Sequence, residues 1–274
     1  MSDLTLVVKG HGRQKVFPAV GRCIYCFATD CDLGDEHIIP QALGGNMILP
    51  QSCCRKCECI IGAKLEGSLM NKRTGMFAAL RLRSGFKSKR PKERPASLPF
   101  TITGRDGAQR EIEIPAKDVP RNWTTFITEL PPGVLVGRSR HEAINATILS
   151  QFDQNDVHGV IAPGESIALK GSATSSQIER FLAKIAHGMA VAHYGFESFE
   201  PWLPDFILGK EDCALGYFVA GWPNDKPDEV GDHKITVGSW NDGTLVGAGI
   251  RLFCLHGTPE YDIVVGKFKE PGQQ

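Results

Sequence analysis

Two C-x-x-C pairs, Cys23-Ile24-Tyr25-Cys26 and Cys54-Arg55-Lys56-Cys57, stand 27 residues apart and constrain this chain more than any other feature. Each pair presents two thiolates at a spacing that reaches one tetrahedral zinc, and two such knuckles close the site. Four protein ligands leave no open position, so the Zn²⁺ expected on Cys23, Cys26, Cys54 and Cys57 is structural. Seven of the nine cysteines fall between Cys23 and Cys59. Cys31, Cys53 and Cys59 compete by proximity, but Cys54 is the one that pairs with Cys57 at the right spacing. Cys213 and Cys254 lie alone among apolar neighbours and read as small buried hydrophobes.

The N-terminal stretch lacks a signal-peptide apolar core, and no apolar run approaches the roughly 20 residues that span a bilayer. The expectation is a cytoplasmic protein with no membrane partner, in which clustered cysteines bind metal and do not form disulfides. In that compartment the sequons at Asn122 and Asn145 are chance matches. A hydrophobic content of 42% over 274 residues is enough for one large or two modest domains.

Net charge is zero, which argues against a protein that coats nucleic acid, but the charges are unevenly placed. Lys72 to Arg94 holds nine basic residues and one acid, Glu93. The remainder of the chain therefore carries 22 basic and 30 acidic residues. A basic stripe on a neutral chain points to an anionic partner met at one place, or to a solvated surface segment.

Between the knuckles runs Asp35-Glu36-His37-Ile38-Ile39-Pro40, followed by Leu43-Gly44-Gly45-Asn46. Here the chain resembles the HNH endonucleases, and most closely bacterial HNH proteins with an E-H-I-I-P…L-G-G segment between two C-x-x-C knuckles. The resemblance covers roughly residues 21–70. It implies a ββα-metal unit: a strand ending in the acid–His pair, a loop, a second strand, then a helix beginning at the second knuckle. It also implies phosphodiester hydrolysis, of DNA more than RNA. His37 would be the general base, since an imidazole titrates near working pH. Glu36 would ligate a catalytic divalent metal, Mg²⁺ or Mn²⁺, which prefers oxygen donors. Where related nucleases place Asn or His directly after the last knuckle cysteine, this chain has Glu58. That carboxylate is the expected second metal ligand, with Asn46 and Glu66 as alternatives. Arg55 and Lys56 on the knuckle, and Lys87, Lys89 and Arg90 in the basic stripe, would contact the nucleic-acid backbone. Phe77 and Phe86 interleave with that stripe as packing or base-stacking groups.

The expected fold class is α+β, with the zinc-stapled unit at 21–70 followed by a larger mixed α+β domain at 97–274. Residues 1–20 form a lead-in with one short strand at Leu4–Val8, and 71–96 a basic connector punctuated by Pro91 and Pro95. In the larger domain, period-two alternation at Phe100–Thr103 and Glu111–Ile114 predicts a hairpin. Ser175–Tyr194 predicts a helix capped by Ser175 or Ser176, with Ile178, Phe181, Leu182, Ile185 and Met189 on one apolar face. His187 and His193, on that helix, are expected to be structural. Asn241-Asp242-Gly243 predicts a hairpin turn between Lys234–Trp240 and Thr244–Gly249, and Gly257-Thr258-Pro259 a second turn. Three functions fit: a metal-dependent endonuclease, a non-catalytic zinc module binding nucleic acid or protein, or a nuclease controlled by a ligand- or partner-sensing domain at 97–274.

Overall fold

A computed structural model describes residues 3–10, 12–71, 76–83, 95–152, 154–169, 174–224 and 231–270. The chain opens with β1 (Leu4–Val8) and β2 (Lys15–Val16), then β3 (Leu33–His37) and β4 (Met47–Cys54). α1 (Arg55–Ile60) runs on through a π-helical stretch, Ile61–Glu66, into a last turn, α2 (Gly67–Leu69). After α3 (Ala78–Arg83) come β5 (Ser97–Thr103), β6 (Gln109–Pro115), β7 (Asn122–Ile127), β8 (Thr147–Phe152), α4 (Gln154–Val157) and β9 (Ser166–Leu169). The long helix α5 (Ser175–Tyr194) leads to β10 (Phe199–Pro201), α6 (Pro204–Leu208) and β11 (Val219–Trp222). The final strands are β12 (His233–Trp240), β13 (Leu245–Leu252) and β14 (Glu260–Phe268). The fold is α+β, as the sequence indicated.

The largest sheet is antiparallel, in the order β1-β12-β13-β14-β10. β10 and β11 pair with successive halves of one edge of β14, Phe199 opposite Phe268 and Val219 opposite Ile263. The lead-in is thus partly integral: β1 pairs with β12 from Leu4 opposite Val237 to Val8 opposite His233. The hairpin between β12 and β13 turns on Asn241, Asp242 and Gly243, with φ of 50°, 56° and 84°. Asn, Asp and Gly tolerate this left-handed backbone better than other residues, which is why the turn falls there. A second sheet, β6-β5-β9, follows from the alternation: Leu98, Phe100 and Ile102 face inward while their neighbours are half-buried.

α5 has the bounds the periodicity predicts, but its cap is Thr174. The Thr174 hydroxyl accepts from the Gln177 backbone and the Gln177 side chain accepts from Thr174, a reciprocal capping box. The helix is buried nearly all round. Besides the expected apolar face it buries Glu179, Lys184 and His187. A helix with no solvent face must have neighbours on every side. One side of α5 lies on β12, β13 and β14, and another meets the Cys-rich unit, where Gly188 lies against Ile38 and Gln177 Nε2 donates to Ser68 Oγ at 3.0 Å. A single contiguous core accordingly runs through Ile24, Ile38 and Leu65 of the Cys-rich unit, Phe181 and Ile185 of α5, and Ile235 and Val265 of the sheet. Leu98, Phe100, Ile114 and Val119 build a second core with Ala78 and Ala79 of α3. Among the described residues no helix is long and apolar enough to cross a membrane.

Candidate active site and metal centre

The first knuckle is a tight turn closed by Phe27 N–H donating to the Cys23 carbonyl at 2.9 Å, with Phe27 left-handed at φ 67°. It is joined to the end of β4 by the Ile24 N–H on the Ser52 carbonyl at 2.8 Å. β4 delivers Cys54, and the first turn of α1 delivers Cys57. The four sulfurs of Cys23, Cys26, Cys54 and Cys57 all lie within 4.8 Å of one another, and Cys26 and Cys54 approach to 3.6 Å. Tetrahedral zinc with Zn–S of 2.3 Å sets its sulfurs about 3.8 Å apart, so the cluster fits the ion. Cys31 and Cys59 are exposed, and Cys53 is buried outside the group. The competition among neighbouring cysteines is thereby resolved in favour of Cys54. Cys53 lies beside the group, where its hydrogen bond lowers the Cys23 thiol against the opposing effect of burial. These four cysteines can hold a structural metal such as zinc.

β3, the intervening loop, β4 and α1 follow in the ββα order. A register shift between Gly34 and Glu36 leaves Asp35 exposed and turns Glu36 inward, and His37 closes the strand opposite Ile48. The loop then needs both its glycines. Gly44 is left-handed at φ 83°, and a Cβ on Gly45 would stand 1.8 Å from the Ile39 carbonyl oxygen. Other parts of the chain hold this loop: His233 Nε2 bonds the Leu43 carbonyl at 2.7 Å and Arg81 Nε donates to the Ala42 carbonyl at 3.1 Å.

Behind the acid–His pair sits a lysine. Lys184, 1% exposed, projects from α5 and places its ammonium 2.5 Å from Glu36 Oε1 and 3.0 Å from Glu66 Oε1. It also donates to the His37 carbonyl at 2.6 Å, with the Ile38 carbonyl at 3.4 Å. Burial drives the lysine towards neutrality, but the charges of Glu36 and Glu66 outweigh it and hold the ammonium charged. Burial likewise pushes the Glu36 carboxyl up, against the downward pull of Lys184. One turn along α5, His187 reaches the Ile24 carbonyl at 2.8 Å. Burial lowers its pKa to about 4, so the ring is neutral, and a carbonyl partner requires the proton on Nε2.

Residues 23–73 match the model of the HNH endonuclease family. Over this segment the chain is similar to the HNH endonucleases. No curated protein and no solved structure matches the chain.

Within the HNH domain the structure joins some of the expected site residues and separates others. Glu36 and His37 are adjacent at the end of β3, and the second carboxylate beside Glu36 is Glu66, at the end of the π-helical stretch. Glu58, the expected second ligand, is 60% exposed and pairs with Arg55 at 2.8 Å. Among the described residues, the four cysteines are the group of three or more His, Cys, Asp or Glu donors that converges within 4.8 Å; Glu36, His37 and Glu58 do not. As arranged, these residues do not fit a divalent cation, because Glu36 is engaged by Lys184 and Glu58 is turned to Arg55. Arg55 and Lys56 are exposed on the knuckle, while Lys87, Lys89, Arg90 and Phe86 lie outside the described residues. Two members of the basic stripe serve the fold. Arg81 donates to the Met70 and Ala42 carbonyls, and Arg83 to the Lys117 carbonyl. Phe77 packs between Phe181 and Phe253, 5.8 Å and 5.5 Å away, and is a core residue. Sequence reasoning passed over Lys184 altogether. Its signal was a single charge inside Phe181-Leu182-Ala183-Lys184-Ile185-Ala186, a run with no solvent-facing side.

Proposed function

We propose that this chain is an endonuclease that hydrolyses phosphodiester bonds of nucleic acid, DNA in preference to RNA, with His37 as general base. The observation that carries this reading is His37 at the end of β3, in the ββα unit closed by the four-cysteine staple and matching the HNH family. In this reading the staple and β4 fix the strand, and the half-buried imidazole takes a proton from the attacking water. Exposed Arg55 and Lys56 meet the phosphate backbone and give an affinity that falls with salt. The cofactors of the reading are structural Zn²⁺ and a divalent cation, Mg²⁺ or Mn²⁺, that would neutralise charge on the phosphate. No reaction step is assigned to that cation, since Glu36 is held by Lys184.

The test is nicking of supercoiled plasmid by zinc-loaded protein with Mg²⁺ or Mn²⁺, against His37→Ala. Wild-type cleavage and a loss of 100-fold or more in the variant, roughly the size of a general-base contribution, is the expected result. Equal nicking by both proteins, or none by wild type, refutes it. One observation favours a second reading, a non-catalytic zinc module that binds nucleic acid or protein: the acid beside His37 is already paired with a lysine. Retained DNA binding with no cleavage under any divalent ion selects that alternative.

A further inference from the structure

A buried ammonium is costly unless every hydrogen it carries is satisfied and its charge is opposed. Lys184 meets both conditions. Its three N–H groups are matched by Glu36 Oε1, Glu66 Oε1 and the His37 carbonyl at 2.5, 3.0 and 2.6 Å, with the Ile38 carbonyl farther off at 3.4 Å. Two carboxylates and two backbone carbonyls are the all-oxygen donor set that hard divalent cations take. With one ammonium inside, the two carboxylates are only half neutralised. The Tyr25 hydroxyl is buried and has no hydrogen-bond partner among the described residues. Its ionisation is suppressed first by burial and next by the charge of Glu36, with Cys53 and Glu66 adding to it.

We propose that Glu36, Glu66 and the carbonyls of His37 and Ile38 form a cation cage whose resident is Lys184, and that a divalent ion occupies it only when this lysine is removed. The lysine is tethered to a helix that the core holds in place, so it competes as an intramolecular ligand against an ion that must come from solution. Lys184 is then a positioning residue. Through the His37 carbonyl it fixes the end of β3, and through Glu36 it decides which cation the acid beside His37 can accept. The proposal does not require the chain to cut nucleic acid, because its readout is a count of bound ions.

The experiment titrates zinc-loaded full-length protein with Mn²⁺, following the free-ion signal by electron paramagnetic resonance. Lys184→Gln is expected to bind one more Mn²⁺ per chain than wild type, and the double variant Lys184→Gln/Glu66→Gln to lose that equivalent. Wild type and Glu66→Gln are expected to bind equal numbers, since the cage is already filled. A folded, zinc-loaded Lys184→Gln with no added equivalent overturns the proposal. So does loss of an equivalent on going from wild type to Glu66→Gln. That second comparison can overturn the proposal even if Lys184→Gln does not fold, because Glu66 is partly exposed, with 25% of its side chain open.

Discussion

Glu179 shows what burial does to a carboxylate that no cation pairs with among the described residues. It lies on α5 at 1% exposure, accepts the Gly216 N–H at 2.7 Å, and is pushed up to about 8 by burial, the Gly216 bond opposing this. Its folded pKa thus exceeds the ordinary value of 4.5, so the folded state holds this proton more tightly than the unfolded chain. The stabilisation is complete below about pH 4.5 and is lost as pH rises to about 8. Melting temperatures of wild type and Glu179→Gln should therefore diverge over that window, with wild type falling the faster; parallel curves would show that the group does not titrate there. The cysteines separate as sharply. Cys57→Ala should abolish the bound zinc equivalent, whereas Cys31→Ala and Cys59→Ala, at exposed thiols outside the cluster, should keep it, as metal analysis of purified protein will show. The sequence yielded the four cysteines by spacing alone, because two thiols two residues apart can reach one ion whatever surrounds them. It did not yield Lys184 or promote Glu66 over Glu58. Those assignments depend on which helix packs behind β3, and no local pattern encodes that.

At the level of elements, the bounds of α5, the β5–β6 and β12–β13 hairpins and the β3–loop–β4–α1 order were legible, each from a local period or turn signal. The pairing of β1 with β12 and the sharing of one β14 edge by β10 and β11 were not, since they join distant segments. Two glycines show how differently elements tolerate a methyl group. On Gly45 the added Cβ would meet the Ile39 carbonyl oxygen at 1.8 Å, and the loop after His37 would have to move. Gly45→Ala is expected to cost on the order of 3 kcal/mol, because the added methyl collides with backbone that must shift. On Gly188 the nearest atom is Ile38 Cγ1 at 3.5 Å, an ordinary contact. Gly188→Ala should be tolerated and gain up to about 1 kcal/mol from helix propensity. Denaturant midpoints of the two variants test both statements, and a destabilised Gly188→Ala would mean that α5 sits closer to the HNH domain than 3.5 Å of clearance implies.

For the molecule as a whole, the HNH domain shares its core with α5 and the large sheet, so it should not stand alone. A fragment of residues 21–71 supplied with zinc would leave Ile38, Leu43, Leu65 and Leu69 without the partners that cover them in the full chain. It is expected to bind a hydrophobic dye and melt without a cooperative transition; a sharp transition would show the unit to be self-sufficient. The same arrangement imposes an order in time. Lys184 comes 147 residues after His37. At ordinary elongation rates the ribosome needs roughly 7 to 30 s to cover that distance. Throughout that interval the nascent chain carries Glu36 and His37 without the cation that seats them.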